Sequence, residues 1–454
     1  MSVAQYLFQI KFLRVEIFSL IYWRIEKYMF LKLCEKSFIK RTPDSYSYSF
    51  FKNGIRNSLQ INQSAYDILS YCDGQYTIED IVLHLQTKYN SDKNTIKNNV
   101  ENFLKPLTDS ELVEFSSIKN LYDIQKGSHA FYLPDVIIWE ITNFCPLDCK
   151  HCYLETKNQF MNSKEDIDNI LEIIEKSGAF QVQLTGGEAL THPYFDYIVK
   201  QLINKGIIVS VSTSGMILNN HILECLCRLK NVVGSYIRVS LDGNEKTHNF
   251  IRNNPKSYQN AINFIKEMIK NGIECQLSTI ISNQSEQEIE ELVCMAKELG
   301  ISIMEIGLII NTGNALKNNF LSDMQIGKYN SFLKSLSAKY SNEKFTVKLP
   351  CETNRQNCGA GSKIITIKPN MDIALCPTNN LIMGNLQKQS IEDIMTNSGN
   401  KLCRLSAPCD SLCGDCKNKD ICKNCISQGL AQKSSVKHCN WYKTQKSILN
   451  QFLG

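Results

Sequence analysis

The residues best equipped for chemistry are cysteines. Three of the chain's 19 stand close together as Cys145-x3-Cys149-x2-Cys152. Three thiolates so spaced suit three irons of a four-iron, four-sulfur cube, leaving the fourth iron without a protein ligand. That vacancy lets a cluster bind and reduce a second molecule. Zinc, which prefers four closed donors, is the competing reading, with His151 drafted as the fourth. A second group follows: Cys358 and Cys376 flanking a predicted hairpin, then Cys413-x2-Cys416-x5-Cys422-x2-Cys425, and Cys439. One zinc knuckle of Cys413, Cys416, Cys422 and Cys425 fits that spacing loosely, but leaves Cys358, Cys376 and Cys439 unexplained. Cys34, Cys72, Cys225, Cys227, Cys275 and Cys294 lie in apolar contexts and read as buried free thiols.

The remaining composition sets bounds. A chain of 454 residues implies two or three domains. Its 43% apolar and 21% charged content is ordinary for a soluble protein. A net charge of +5 does not suggest a nucleic-acid binder, which would carry a concentrated basic stripe. No secretory signal is visible, so the protein is expected in the cytoplasm, where clustered cysteines point to metal rather than disulfides. Tyr6 to Leu33 is rich in aromatic and aliphatic residues, but Lys11, Arg14, Glu16, Arg24, Glu26 and Lys27 interrupt it. That excludes an uncharged run of roughly 18 residues. An amphipathic helix packed on the body is expected, with a membrane-surface helix or a true start at Met29 as alternatives.

The elements that position the cysteines follow from pattern. Residues 40–118 read as a winged-helix unit: strands Tyr46–Phe51 and Ile55–Ile61 flank Asn53-Gly54, a type I′ turn pair. Asn62 caps a helix through Tyr71 that Gly74 closes, and Thr77 starts a second with Ile78, Ile81, Val82 and Leu85 on one face. A third carries Ile96, Val100, Phe103, Leu104 and Leu107. Its Lys93, Lys97 and Lys105 leave a DNA-binding reading open, though Asp92 and Glu101 dilute them. Six runs then alternate with helices: Val136–Ile141, Gln181–Leu184, Ile207–Ser212, Tyr236–Ser240, Glu274–Ile280 and Ser302–Leu308. Such repeats imply parallel strands with right-handed crossovers and an open α/β barrel of six units, with function at the strands' C-terminal ends.

Cys-x3-Cys-x2-Cys directly after the first strand resembles the signature of the radical S-adenosylmethionine (radical SAM) superfamily. Further motifs follow in order. Gly186-Gly187-Glu188 resembles the motif that receives the SAM amino group, with Ala189 in place of the usual proline. Ser212, Thr213 and Ser214 fall where the family contacts ribose or methionine. Ser240-Leu241-Asp242-Gly243, with His248 and Arg252, resembles the fourth-strand motif, and the resemblance implies that Arg252 pairs with the SAM carboxylate. Asn283 is a weaker cofactor candidate. In that family an electron from the cluster cleaves SAM, and the resulting 5′-deoxyadenosyl radical abstracts hydrogen from a substrate.

Residues 40–118 resemble the peptide-recognition element of ribosomal-peptide maturases, in which a leader peptide adds as a strand to the hairpin edge. The C-terminal cysteines resemble a SPASM domain with two auxiliary four-iron clusters. That resemblance implies Cys413, Cys416, Cys422 and Cys439 around one and Cys358, Cys376 and Cys425 around the other, with Cys351, Cys403 or Cys409 as fourth-ligand candidates. Met371 stands where the family often has glycine. The layout resembles the sactipeptide maturases: an N-terminal extension (1–39), recognition element (40–118), linker (119–134), radical SAM barrel (135–315), helical connector (316–350), SPASM domain (351–445) and tail (446–454). It implies SAM and three clusters as cofactors, a flavodoxin- or ferredoxin-type electron donor, and a precursor peptide crosslinked from cysteine sulfur to α-carbon. Sibling maturases forming other thioethers or carbon–carbon bonds, a sulfatase-maturing enzyme, and a winged-helix redox regulator are the alternatives.

Overall fold

A computed structural model describes residues 29–154, 157, 160–318, 320, 323–349 and 358–452. The chain forms two units, one ending at His129 and one beginning at Ala130. The predicted helix across Tyr6–Leu33 lies mostly outside the described residues, and its last residues are a strand.

In the first unit, β1 (Phe30–Leu33) pairs with β5 (Val113–Ser116). A four-stranded sheet runs β4 (Ile55–Ile61), β3 (Tyr46–Lys52), β2 (Phe38–Arg41), β6 (Gln125–Gly127). Asn53 and Gly54 both take positive φ, +53° and +77°, as the type I′ turn requires. Asn62 Oδ1 accepts from Ala65 N at 2.8 Å to start the helix Gln63–Leu69. Thr77 and Asp80 form a capping box on Ile78–Tyr89. The predicted apolar faces of that helix and of Lys93–Asp109 meet Leu31, Ile39 and Tyr48 in one core. The unit is wider than 40–118, because β1 and β6 complete it. Gly74 does not close the first helix, which ends at Leu69; its backbone instead packs so tightly that a Cβ would lie 2.1 Å from Asn120 O. Lys97 and Lys93 pair with Glu79 at 2.8 and 3.7 Å, which removes charge from the DNA-binding reading.

The second unit holds one ten-stranded sheet. Its first six strands are β7 (Val136–Thr142), β8 (Gln181–Gly186), β9 (Ile208–Thr213), β10 (Tyr236–Ser240), β11 (Cys275–Ile281) and β12 (Ile303–Leu308). They lie side by side in chain order and parallel, the expected open barrel. Two more parallel strands extend it: β13 (Thr346–Lys348) beyond β12, and β14 (Ile364–Ile367) beyond β7. β15 (Asp372–Ala374) and β16 (Ile382–Asn385) continue antiparallel from β14. The sheet therefore crosses the expected boundary at 351.

Helix Lys164–Ser177 shows why these crossovers form. Ser163 and Asp166 cap it reciprocally, Gly178 ends it at φ +63°, and Ile167, Ile170, Leu171 and Ile174 are buried. In the β14–β15 turn Met371 adopts φ +67°, the left-handed region where glycine is favoured. Its side chain is buried, and its sulfur lies 3.8 Å from Asn162 Nδ2. Asn162 also donates to Pro369 O and accepts from Trp139 Nε1.

Candidate active site

The predicted site residues gather at the C-terminal ends of β7 to β10. A cavity of about 420 Å³ there is lined by Cys145, Cys149, Cys152, Gly186, Gly187, Ser212, Thr213, Ser214, Ser240 and Arg252. The loop that bears the three cysteines is held from two sides. Gly187 N donates to Thr142 O and Glu188 N to Phe144 O, both at 2.8 Å. This approach admits no side chain: a Cβ on Gly186 or Gly187 would lie 2.0 Å from Thr142 O or 2.1 Å from Phe144 O. On the other side, Asn314 N donates to Cys152 O at 2.8 Å and Asn314 Nδ2 to Cys149 O at 3.1 Å.

Glu188 and Asp242 do not line this cavity; they brace it. The Glu188 carboxylate accepts from Thr213 Oγ1 (2.8 Å), Ser214 N (2.9 Å) and Ser214 Oγ (2.5 Å), locking the end of β9 to the loop after β8. Asp242 is fully buried and accepts from Arg252 Nε at 2.7 Å and Nη2 at 2.6 Å. Arg252, expected to face a SAM carboxylate, is thus held by Asp242, with Nη1 3.9 Å from Cys149 Sγ. Burial raises the Asp242 carboxyl, and the Arg252 guanidinium outweighs it and holds the group below the usual carboxylate range. Burial pushes both histidines down to about 4, so they are neutral. His151 Nε2 lies 3.9 Å from Asp242 Oδ2, and the residue lines the same cavity as the three cysteines.

Burial pushes the Cys145 thiol up to about 12 and raises Cys152 as well. Neighbouring thiols reinforce both shifts, so thiolates here need irons to offset their charge, which fits the cluster. Among the described residues, no three Cys, His, Asp or Glu side chains converge tightly enough for a single ion.

The C-terminal cysteines lie in two neighbourhoods. Cys413, Cys416, Cys422 and Cys439 line one small cavity. Burial, then the charges of Cys413, Cys416 and Cys439, push Cys422 up to about 12. Separately, burial and then Cys376 and Cys425 raise Cys358. Cys403 Sγ bonds Asn400 O, Cys409 Sγ meets Ser411 Oγ, each at 3.2 Å, and Cys351 lies outside the described residues. Of the six cysteines expected to be buried, Cys72, Cys225 and Cys275 are; Cys34, Cys227 and Cys294 are half-buried.

A second cavity of about 440 Å³ shares Tyr153, Leu154, Thr312, Pro377 and Thr378 with the first. It extends to Thr378 and Ser427, which flank Cys376 and Cys425, and its wall includes Glu140, Lys368 and Lys433. Sequence reasoning missed Tyr153, Gln183, Arg238 and Thr312 on these walls. The signals were available: Gln183 and Arg238 interrupt apolar strands, and Asn311-Thr312-Gly313-Asn314 is a turn-rich run after β12. Asn283 does not line the cavity; the buried Gln284 beside it donates to Asp242 O at 2.6 Å.

A cysteine loop, a double-glycine brace and a polar rim at the ends of successive parallel strands define an enzyme of the radical SAM class. Residues 139–296 match the radical SAM superfamily, and residues 54–113 match coenzyme PQQ synthesis protein D (PqqD). The superfamily's cofactors are SAM and a four-iron, four-sulfur cluster. The antilisterial bacteriocin subtilosin biosynthesis protein AlbA of Bacillus subtilis (strain 168) is 25% identical over 403 residues, covering 86% of this chain and 89% of AlbA. The AdoMet-dependent heme synthase of Methanosarcina barkeri is 23% identical, over 66% of this chain and 93% of that one. Streptococcus suis SuiB, in the crystal structure bound to precursor peptide SuiA, shares the fold with a TM-score of 0.63 at 14% identity, covering 90% of this chain and 98% of SuiB.

Proposed function

We propose that this enzyme matures a ribosomally made precursor peptide by joining a cysteine sulfur to the α-carbon of another residue. The observation that carries the reading is the shared wall of the two cavities. One reaches the loop of Cys145, Cys149 and Cys152, the other the surroundings of Cys376 and Cys425, so a peptide segment there would lie between both cysteine groups. The likeness to AlbA and SuiB supports a peptide substrate, and the PqqD match supports leader binding by the first unit, with β4 as the edge strand of its sheet. The heme synthase supports a tetrapyrrole reading, but the PqqD-like unit favours the peptide.

In this reading Cys145, Cys149 and Cys152 hold the SAM-binding cluster. Cys413, Cys416, Cys422 and Cys439 hold one auxiliary cluster, and Cys358, Cys376 and Cys425 hold another that keeps an exchangeable iron. A flavodoxin- or ferredoxin-type protein supplies electrons. With SAM bound, the first cluster supplies the 5′-deoxyadenosyl radical, and the centre at Cys376 supplies an electron sink. The chain's own contribution is placement. Gly186, Gly187 and the rim Ser212, Thr213, Ser214 and Ser240 face the cofactor, while Glu188 and Asp242 fix Ser214 and Arg252 from behind.

The test is mass spectrometry of the peptide encoded beside the gene, after incubation with reconstituted enzyme, SAM and reductant. A loss of two hydrogens per crosslink is expected, and alkylating the peptide cysteines first should abolish it. A two-hydrogen loss that survives alkylation sinks the thioether.

A further inference from the structure

Glu140 is a buried carboxyl on β7 that no step above uses. It lines the second cavity, five residues before Cys145. Tyr153 Oη donates to its Oε1 at 3.0 Å. The other ionisable groups on that wall are Lys368 and Lys433. Burial raises the proton affinity of Glu140, and the Lys368 charge and the Tyr153 hydroxyl oppose it. A buried carboxyl on a cavity wall, held at one oxygen by a tyrosine hydroxyl and with its proton affinity raised by burial, is suited to take a proton from whatever enters.

We propose that the Glu140 carboxylate is the catalytic base for the substrate cysteine, receiving the thiol proton at Oε2. The proposal rests on the thioether reading and adds the fate of the proton. The thiol gives its proton to Glu140 as the peptide binds; the radical later removes a hydrogen atom from the α-carbon, and the thiolate sulfur closes the carbon–sulfur bond, leaving one surplus electron. Cys358, Cys376 and Cys425 would hold the iron–sulfur centre that takes up this electron. Tyr153 is a positioning residue, fixing Oε1 and leaving Oε2 to take the proton.

Proton release on binding tests this without turnover. The cluster-loaded protein, without SAM or reductant, is mixed in weak buffer with millimolar N-acetyl-Gly-Cys-Gly-amide or its serine analogue. Visible circular dichroism of the clusters is recorded in parallel. Wild type should bind the thiol peptide with no net proton release, because the proton stays on Glu140. Glu140→Gln should release one proton per bound peptide, and Glu140→Asp, which keeps a carboxylate, should behave as wild type. A thiol-dependent dichroism change with equal proton release in wild type and Glu140→Gln overturns the role of Glu140 alone. No dichroism change with the thiol peptide overturns the thioether reading and this proposal together.

Discussion

Replacing Gly187 by alanine should disable the enzyme without unfolding it. The new Cβ would lie 2.1 Å from Phe144 O and 2.5 Å from Phe144 C. Carbon and oxygen need about 3.3 Å, so one backbone must yield by about 1.2 Å. Both obstructing atoms are main chain in the residue before Cys145, so no side-chain rotation relieves the clash. The shift also breaks the 2.8 Å bonds Gly187 N to Thr142 O and Glu188 N to Phe144 O, each worth ~1 kcal/mol net. A misplacement of about 1 Å near a reacting centre costs on the order of 100-fold in rate. The assay is 5′-deoxyadenosine formation by anaerobically reconstituted protein, normalised to bound iron. Gly272→Ala is the control: Gly272 has φ +66° but nothing within 4 Å of a Cβ. It should cost about 1 kcal/mol of stability and leave SAM cleavage intact. If Gly187→Ala, fully loaded with iron, cleaves SAM within threefold of wild type, the double-glycine brace does not set the cysteine loop.

On the proposed set of three four-iron clusters, changing Cys145, Cys149 and Cys152 together to alanine should remove about a third of roughly twelve irons per chain. It should also abolish 5′-deoxyadenosine, and any residual SAM cleavage would refute the assignment. Asp242→Asn strips Arg252 of its buried counter-charge and should destabilise the protein by about 3–5 kcal/mol, read as a lower Tm; an unchanged Tm would mean that Arg252 finds another partner. His248 is neutral when folded, its pKa depressed by burial from 6.5 to about 4. Its contribution is therefore complete above pH 6.5 and declines as pH falls from there towards 4, by ~3 kcal/mol in all. His248→Gln should flatten that part of a denaturation profile taken against pH, and an unaltered slope would contradict it.

The fold was legible where one physical signal dominated. Tyr236–Ser240 reads as a strand because β-branched and apolar residues leave little choice, and its bounds agree with the structure. Ser163, Asp166 and Gly178 mark their helix because capping chemistry is local. β13 escaped notice for the opposite reason: three residues carry no periodicity, and only a neighbour across the sheet makes them a strand, whereas β14 and β15 are the arms of the hairpin expected between Cys358 and Cys376. β1 was hidden because Phe30–Leu33 continues an aromatic run that reads as helix. At the site, residue types announced the cysteine loop and the glycine pair. They did not announce that the Glu188 and Asp242 carboxylates turn away from the cavity. A carboxylate on a strand end looks the same in sequence whether it meets a cofactor or holds the hydroxyl that does.

Val136 on β7 pairs with Ile364 on β14, so this interior strand of the second unit gains one neighbour early and the other late. A ribosome adding about 5–20 residues per second leaves one edge of β7 bare for on the order of 10–50 s while the intervening chain is made. That edge bears Ile137 and Trp139, the composition that invites pairing with another molecule. Newborn chains should therefore depend on chaperone cover and slow expression until β14 arrives. A chain stopped before residue 364 should accumulate as aggregate rather than as a smaller working enzyme.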